Sequence, residues 1–600
     1  MRNPIEVLKH LENHARSQDY KYNRLYRNLY NPDFYLLAYK NIATSQGSMT
    51  TGADGLTLDD MSMARIERII AALKDHSYQP NPTRRTYIAK KNNPAKKRPL
   101  GIPSTDDRLV QEIIRMILEA IYEPTFSRYS HGFRPHRSCH TALLQIQTCF
   151  HSAKWIVEGD IKACFDSFDH HVLIDLLRKR IADEYFISLM WKFLRAGYME
   201  QWTYHDTYTG TPQGSGMSPI LANIYLSELD RFMEEYKQDF DRAPQRARKP
   251  SQEYNRVKWR YTTCKEKLAQ EHSVENIRAF KAAQKAQLAT LYYPAIDPSF
   301  MKIQYNRYAD DFIIGVIGSK DDAERVKADV KEFLQSKLKL TLSDEKTKVT
   351  HSGELVRYLG YDLTVARDYS AKRDEKGVLR RFWYGAVKLY VPREKWIGKL
   401  QEYKAFKIVK DADGTERWKP LHRGFLMHRP EIDIISKYNS EIRGIYNFYR
   451  LAHNVSVLNK FAHIMERSML KTFAAKGDTT INKIRKKHER DGIFGVDYTN
   501  KAGKQRCEFY HDGFVRKEEA APASVDILPQ HRKYVKPNSF AARLKAGVCE
   551  LCGIQTKDIR IHMVRTLKEL TGKTEAELLM MKRRRKSLAL CPACHGKEHA

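Results

Sequence analysis

The sequence predicts an α+β protein of several domains, and three observations carry that expectation. Six hundred residues, 42% of them hydrophobic, exceed what one core absorbs, since single cores stop growing near ~250–300 residues. Around three aspartates the expected elements run strand, helix, strand hairpin, helix, strand. Beyond them come helical stripes, a basic run and two CxxC pairs.

The first 80 residues read as a helical extension. Asn31-Pro32 punctuates a short helix within 20–54, and Ile66, Ile69, Ile70 and Leu73 recur at the spacing of one apolar stripe. Thr86-Tyr87-Ile88-Ala89 and Arg98-Pro99-Leu100-Gly101-Ile102-Pro103 then read as two strands joined by a basic turn over Lys90 to Lys97. Such a hairpin, with Lys90, Lys91 and Arg98, suits a triphosphate; a solvated charged turn is the plainer alternative. Val110, Ile113, Ile114, Ile117, Leu118 and Ile121 predict a deeply packed helix. A loop, His131-Gly132-Phe133-Arg134-Pro135, offers an aromatic and cations.

The apolar strand Trp155 to Ile161 delivers Asp160 at its end, with Phe165 five residues on. By itself that aspartate could equally cap the next helix. Thr211 to Pro219, containing Gln213, combines turn residues with glycines that permit close backbone approach, and it opens a helix over 220–232. Residues of about 235–300 read as a charged, Gln-rich helical insertion. Tyr308-Ala309-Asp310-Asp311 is expected at the tight turn of a hairpin between two β-rich flanks, where adjacent carboxylates suit a divalent cation or simply good turn chemistry. Val326, Val330, Phe333, Leu334 and Leu338 mark the next helix, and 357–361 one more strand. Two further helices show stripes, Ile435 to Tyr449 and Leu458 to Met469. Arg443, Asn447 and Arg450 accompany the first of them, and Lys483, Arg485, Lys486 and Lys487 head a basic run that attracts phosphates.

A formal net charge of +32, spread along the chain, and 34 tyrosines point to a nucleic-acid partner: the cations meet a backbone and the rings stack on bases. Five of the nine cysteines stand singly, which suggests a reducing interior. No apolar run reaches the ~18 residues a membrane helix needs, and the expectation is a cytoplasmic protein without a membrane partner. Cys549, Cys552, Cys591 and Cys594 pair as two CxxC motifs, the spacing of a closed tetrahedral Zn2+ site.

Six stretches occur in a fixed order: LGIP at Leu100, HGFRP at His131, EGDIKACFD at Glu158, TPQG with SPILANIY from Thr211, YADD at Tyr308 and YLGY at Tyr358. Over nearly its whole length the chain resembles group II intron reverse transcriptases and maturases, above all bacterial members with a C-terminal HNH endonuclease domain. The resemblance implies a right-hand polymerase: fingers and palm over 81–375, a helical thumb or maturase domain over 376–478, a DNA-binding region over 479–540, and a zinc-stabilised ββα-metal HNH-like tail over 541–600. It implies two Mg2+ ions held by Asp160, Asp310 and Asp311, Phe165 beneath the sugar as a filter for deoxynucleotides, Lys90 or Lys91 with Arg98 on the triphosphate, and Gln213 by the incoming nucleotide. Arg134 is then expected near the template, and Arg443, Asn447, Arg450 and the 483–487 cations on intron RNA or DNA. His562 and His599 become holders of a nuclease ion, His562 with a catalytic part. Met563 stands where the family carries the second His of a pair, and a methionine takes no proton, so cleavage is expected to be weak or absent. The partners implied are intron RNA, an RNA template with its primer, dNTPs and double-stranded target DNA, the protein joining the nucleoid when on that target. The alternatives are an RNA-binding splicing cofactor and a reverse transcriptase of another lineage. Asp160, Asp310 and Asp311 are all present, against the first, and the thumb-like RGIYNFY from Arg443 and the tail weigh against the second.

Overall fold

Asp311–Ile317 is a continuous apolar run buried on both faces, and it closes with Lys302–Tyr308 as an antiparallel hairpin in which Tyr308 lies opposite Asp311. Trp155–Asp160 pairs antiparallel with the second of them, and Lys348–His351 adds the far edge. This four-stranded sheet is the centre of the molecule. The computed structural model describes residues 2–17, 19–45, 47–90, 93–200, 203–205, 210, 215–243, 249–294, 297–367, 371–373, 377, 379–381, 385–410, 414–500, 503–521 and 539–599.

Helices Ser218–Phe240 and Lys320–Leu338 cover one face of the sheet through Leu221, Ile224, Val326, Val330 and Leu334. The basic hairpin forms, Thr83–Lys90 against Asn93–Ile102, but residues 93–97, expected in its turn, continue the second strand; its first strand also pairs in parallel with Tyr198–Glu200. Thr105–Tyr122 is buried nearly all round, because helices Pro4–Ala15 and Pro32–Ala43 pack on it. Asn31 accepts from the Asp33 N–H and caps the second of these, with Pro32 at its first turn, where a missing N–H costs nothing. Residues 1–80 therefore share the core of the central sheet.

The insertion is an antiparallel helix pair, Gln252–Gln270 and Val274–Ala289, in which only Ala283 is buried. The stretch 357–361, expected as one strand, is two. Leu359 and Gly360 adopt positive φ of 47° and 81° and turn Val356–Tyr358 back into Tyr361–Val365. With Val387–Tyr390 these form a separate sheet, packed in a second core with the helices Glu431–Tyr449 and Leu458–Lys476. Residues on both sides of position 375 thus share one interior. The region after 479 also holds more structure than its weak apolar pattern suggests: Ile493–Asn500 and Gly503–Glu508 pair, and Phe494, Val496, Phe509 and Phe514 enter the second core.

In the tail, Arg560–Met563 pairs with Ser587–Leu590, and Pro592–Lys597 follows as a short helix. It docks on the N-terminal extension. The Ile561 N–H donates to the Met61 carbonyl at 2.9 Å, and Lys545 pairs with Asp33 at 2.8 Å. No helix among the described residues is long and apolar enough to cross a membrane.

One glycine shows how tightly the loop at His131 is set against the hairpin turn. A Cβ on Gly132 would lie 2.3 Å from the Ala309 backbone nitrogen. Gly132→Ala is expected to cost about 1–3 kcal/mol, read as a lower urea midpoint at unchanged m value.

Candidate active site

Asp160 and Asp311 meet because the strands that carry them are in register, residue opposite residue. Asp310 sits at the turn beside them, after Ala309 with φ of 57°. Burial, with crowding added, keeps Asp310 and Asp311 protonated to higher pH than ordinary carboxyls. Desolvation raises Asp311 to about 7, helped by Asp310 and Asp160, although its carboxyl still reaches solvent. Asp310 is raised as well, by desolvation and by Asp160, while Arg98 and Lys346 pull it down. Asp310 and Asp311 are costly to ionise where they stand, so a cation that neutralises them is favoured there, and the oxygen donors of the three carboxylates are those Mg2+ prefers.

The cations here divide into expected and unexpected. Arg98 lies on the basic hairpin, close enough to act on Asp310. Lys90 ends the other strand of that hairpin, whereas Lys91 and Gln213 lie outside the described residues. Lys346 was not foreseen: its Nζ reaches Asp160 Oδ2 at 2.9 Å from the loop before the edge strand. Nothing in its local sequence marks it, since the contact spans 186 positions. Phe165 stands on a helical turn begun by left-handed Ala163 and meets Phe133 and Phe168 edge-on, with centroids 6.1 and 6.0 Å away.

Beneath the turn lies a pair that sequence reasoning also missed. Arg307 is fully buried and grips Asp230 through two hydrogen bonds, Nε to Oδ1 at 2.7 Å and Nη2 to Oδ2 at 2.6 Å. Its Nη1 donates to the Ala309 carbonyl at 2.9 Å, and its Nη2 also donates to Ser130 Oγ. The Arg307 main chain accepts from the His131 N–H and donates to the Tyr129 carbonyl. One guanidinium therefore ties turn, loop and helix together. The available signal was a charge at an inward position of an apolar strand.

Arg134, expected near a template, is corrected by its burial. It is 3% exposed and spends its donors on Glu123 and on the Ser127 and Ser130 carbonyls, so it braces the loop from inside. Arg450 is likewise turned inward, its side chain 11% exposed and nearest Glu519. Arg443 and Asn447 stay exposed on the face opposite the buried stripe. In the basic run, Arg485 pairs with Glu466 and Lys487 approaches Glu431, while Lys483 and Lys486 remain exposed.

The tail presents two clusters. The Sγ atoms of Cys549, Cys552, Cys591 and Cys594 lie within 4.8 Å of one another, a donor set that fits zinc. His562 and His599 gather with His595 and, unexpectedly, with Asp59 from the extension. Burial pushes the His562 imidazole below its ordinary value, which favours the neutral form that binds metals. Met563 points away, 2% exposed in the core, as alternation along a strand requires.

Residues 88–255 and 269–363 match the family model for reverse transcriptase (RNA-dependent DNA polymerase). Residues 385–528 match type II intron maturase, and 549–595 match AI2M/AI1M-like HNH endonuclease. The group II intron-encoded protein LtrA of Lactococcus lactis subsp. cremoris is 42% identical over 99% of each chain. The putative COX1/OXI3 intron 2 protein of Saccharomyces cerevisiae is 31% identical over 99% of this chain and 68% of its own length. An uncharacterized 91 kDa protein in the cob intron of Schizosaccharomyces pombe is 36% identical over 98% and 71%.

Removing one partner of the buried pair, as in Arg307→Met, is expected to cost about 3–5 kcal/mol in denaturant unfolding. A pH series on metal-free protein gives a second check. Because the folded-state value of Asp311 is raised, its contribution is fully present below the ordinary carboxylate range and is lost as pH rises through about 7. Asp311→Asn should therefore flatten that loss and unfold later than the parent at pH 8. The gain is on the order of 1 kcal/mol, once solvent screening at the turn is allowed for. The chain belongs to the family of group II intron-encoded reverse transcriptases and maturases with an HNH-like domain.

Proposed function

We propose that this reverse transcriptase extends a primer at the Asp160, Asp310 and Asp311 cluster, that its helical region holds intron RNA during splicing, and that its tail binds target DNA with little or no cleavage. The observation that carries the first part is the register that sets Asp160 opposite Asp311 with Asp310 at the adjoining turn. Two Mg2+ ions bound there would supply Lewis acidity to the attacking 3′-hydroxyl and to the leaving phosphate oxygens. Asp160 and Asp310 are the residues to hold them, with Asp311 assisting. Lys90 or Lys91 with Arg98 neutralises the triphosphate, and Gln213 flanks the incoming nucleotide. Phe165, braced by Phe133 and Phe168, is the rigid wall that a ribose 2′-hydroxyl would strike.

In this reading the central sheet is a palm, the basic hairpin the fingers and the paired long helices a thumb. Exposed Arg443, Asn447, Lys483 and Lys486 face the RNA or DNA backbone; Arg134 and Arg450 are positioned as internal braces instead. The protein works in the cytoplasm on nucleic acid. For the tail, the expected base position is filled by a buried methionine, which cannot activate water.

Asp310→Ala together with Asp311→Ala should abolish cDNA synthesis on an RNA template while leaving intron RNA binding in place; retained synthesis would sink the assignment. A nicking assay on double-stranded target DNA tests the tail: the parent chain is expected to bind without cutting, and cleavage by it refutes the reading.

A further inference from the structure

The extension and the tail meet at a cluster that neither could form alone. Asp59 lies in the segment before the helix Met63–Lys74, and Leu58 and Met61 on either side of it are fully buried. The backbone bridge from Met61 to Ile561 and the Arg560–Asp60 ion pair at 3.1 Å align this segment with the first tail strand. The Met563 N–H donates to Asp59 Oδ1 at 2.6 Å. The Asp59 carboxylate is thereby aimed at three imidazoles: Oδ1 stands 3.6 Å from His562 Nδ1, and Oδ2 stands 3.4 Å from His595 Nε2 and 2.8 Å from His599 Nε2.

We propose that Asp59, His562, His595 and His599 form a closed four-coordinate Zn2+ site that clasps the N-terminal extension to the tail. One donor atom from each residue lies within 4.8 Å of all the others. A tetrahedral ion with bonds of ~2.0–2.1 Å needs donors about 3.3 Å apart, which the carboxylate distances bracket. His562 and His595 are each 6% exposed, and both His562 Nδ1 and His595 Nε2 lack a hydrogen-bond partner. Two buried ring nitrogens pointed at one carboxylate without satisfying each other are what a ligand set presents, since a buried polar atom left without a partner is destabilising. Three imidazoles and a carboxylate suit zinc among the common divalent ions.

The fourth ligand changes the character of the site. A catalytic zinc keeps a position open for water, whereas four protein ligands close it. Asp59 occupies the place that water would take, so the ion becomes structural and the contact between domains becomes metal-dependent. The inference goes beyond the proposed function and stands whether or not the tail meets DNA.

The test is metal stoichiometry on the full chain. The purified protein, equilibrated with Zn2+ and freed of loose metal, is expected to hold two equivalents, one in the four-cysteine cluster and one in the clasp. Asp59→Ala should weaken the second equivalent more than about 100-fold, beyond the effect of losing an outer partner, and should speed proteolytic release of the tail. His599→Ala, at a half-exposed position, should do the same to the metal and serves as the second variant if Asp59→Ala fails to fold by circular dichroism. Lys545→Ala, which breaks only the nearby surface pair with Asp33, should keep both equivalents. Cobalt substitution separates the sites: thiolate charge-transfer bands report the cysteines, and loss of only the remaining visible bands in Asp59→Ala locates the clasp. One equivalent in the parent protein, or an unchanged second equivalent in both variants, overturns the proposal.

Discussion

The Arg307 guanidinium, sealed from water against the Asp230 carboxylate, is the constraint on which the catalytic turn depends. A buried ion pair is costly to assemble and gives little net stability against an apolar substitute. Its value here is geometric. The hydrogen bonds of the Arg307 guanidinium reach Asp230 and Asn223 on a helix, Ser130 on a loop and the carbonyl of Ala309, the residue whose left-handed backbone aims the next two aspartates. Carboxylates that repel each other will not stay together on a floppy turn, so the scaffold beneath them has to be rigid before any ion arrives.

The same logic of shared interiors runs through the rest of the molecule. The first core extends from the N-terminal helices through the central sheet into the tail, and the second joins the small sheet at 356–390 to the long paired helices. Polymerase, maturase and HNH-like matches are therefore neighbours in packing as well as in sequence. Where the chain presents a cation to solvent, as at Arg443 or Lys486, it does so on a helix whose opposite face is anchored in such an interior.

Much of this was legible in the residues. Periodicity located the long helices, the CxxC spacing located the cysteine cluster, and the strand ends at Asp160 and Asp310 were read as a pair although 150 positions separate them. What escaped was of one physical kind: side chains whose meaning lies in a distant partner. Lys346, Asp230 and Asp59 sit in ordinary local contexts, and only folding reveals what they touch. Arg134 failed in the opposite sense, because a cation in a glycine-containing loop reads as exposed until its donors are found to be spent on the main chain. The strand expected at 357–361 hid a turn, since YLGY is as apolar as any strand and only the backbone shows Gly360 in the left-handed region.

The insertion at Gln252–Ala289 fully buries one alanine, and the rest of it is half-buried along its own seam or exposed. Its two helices stand on each other and contribute little to either core, so opening it costs almost none of the global unfolding free energy. Such an appendage behaves as a detachable annex. Its two helices can part and close again without disturbing the sheet from which they project, whose geometry is set by the catalytic turn.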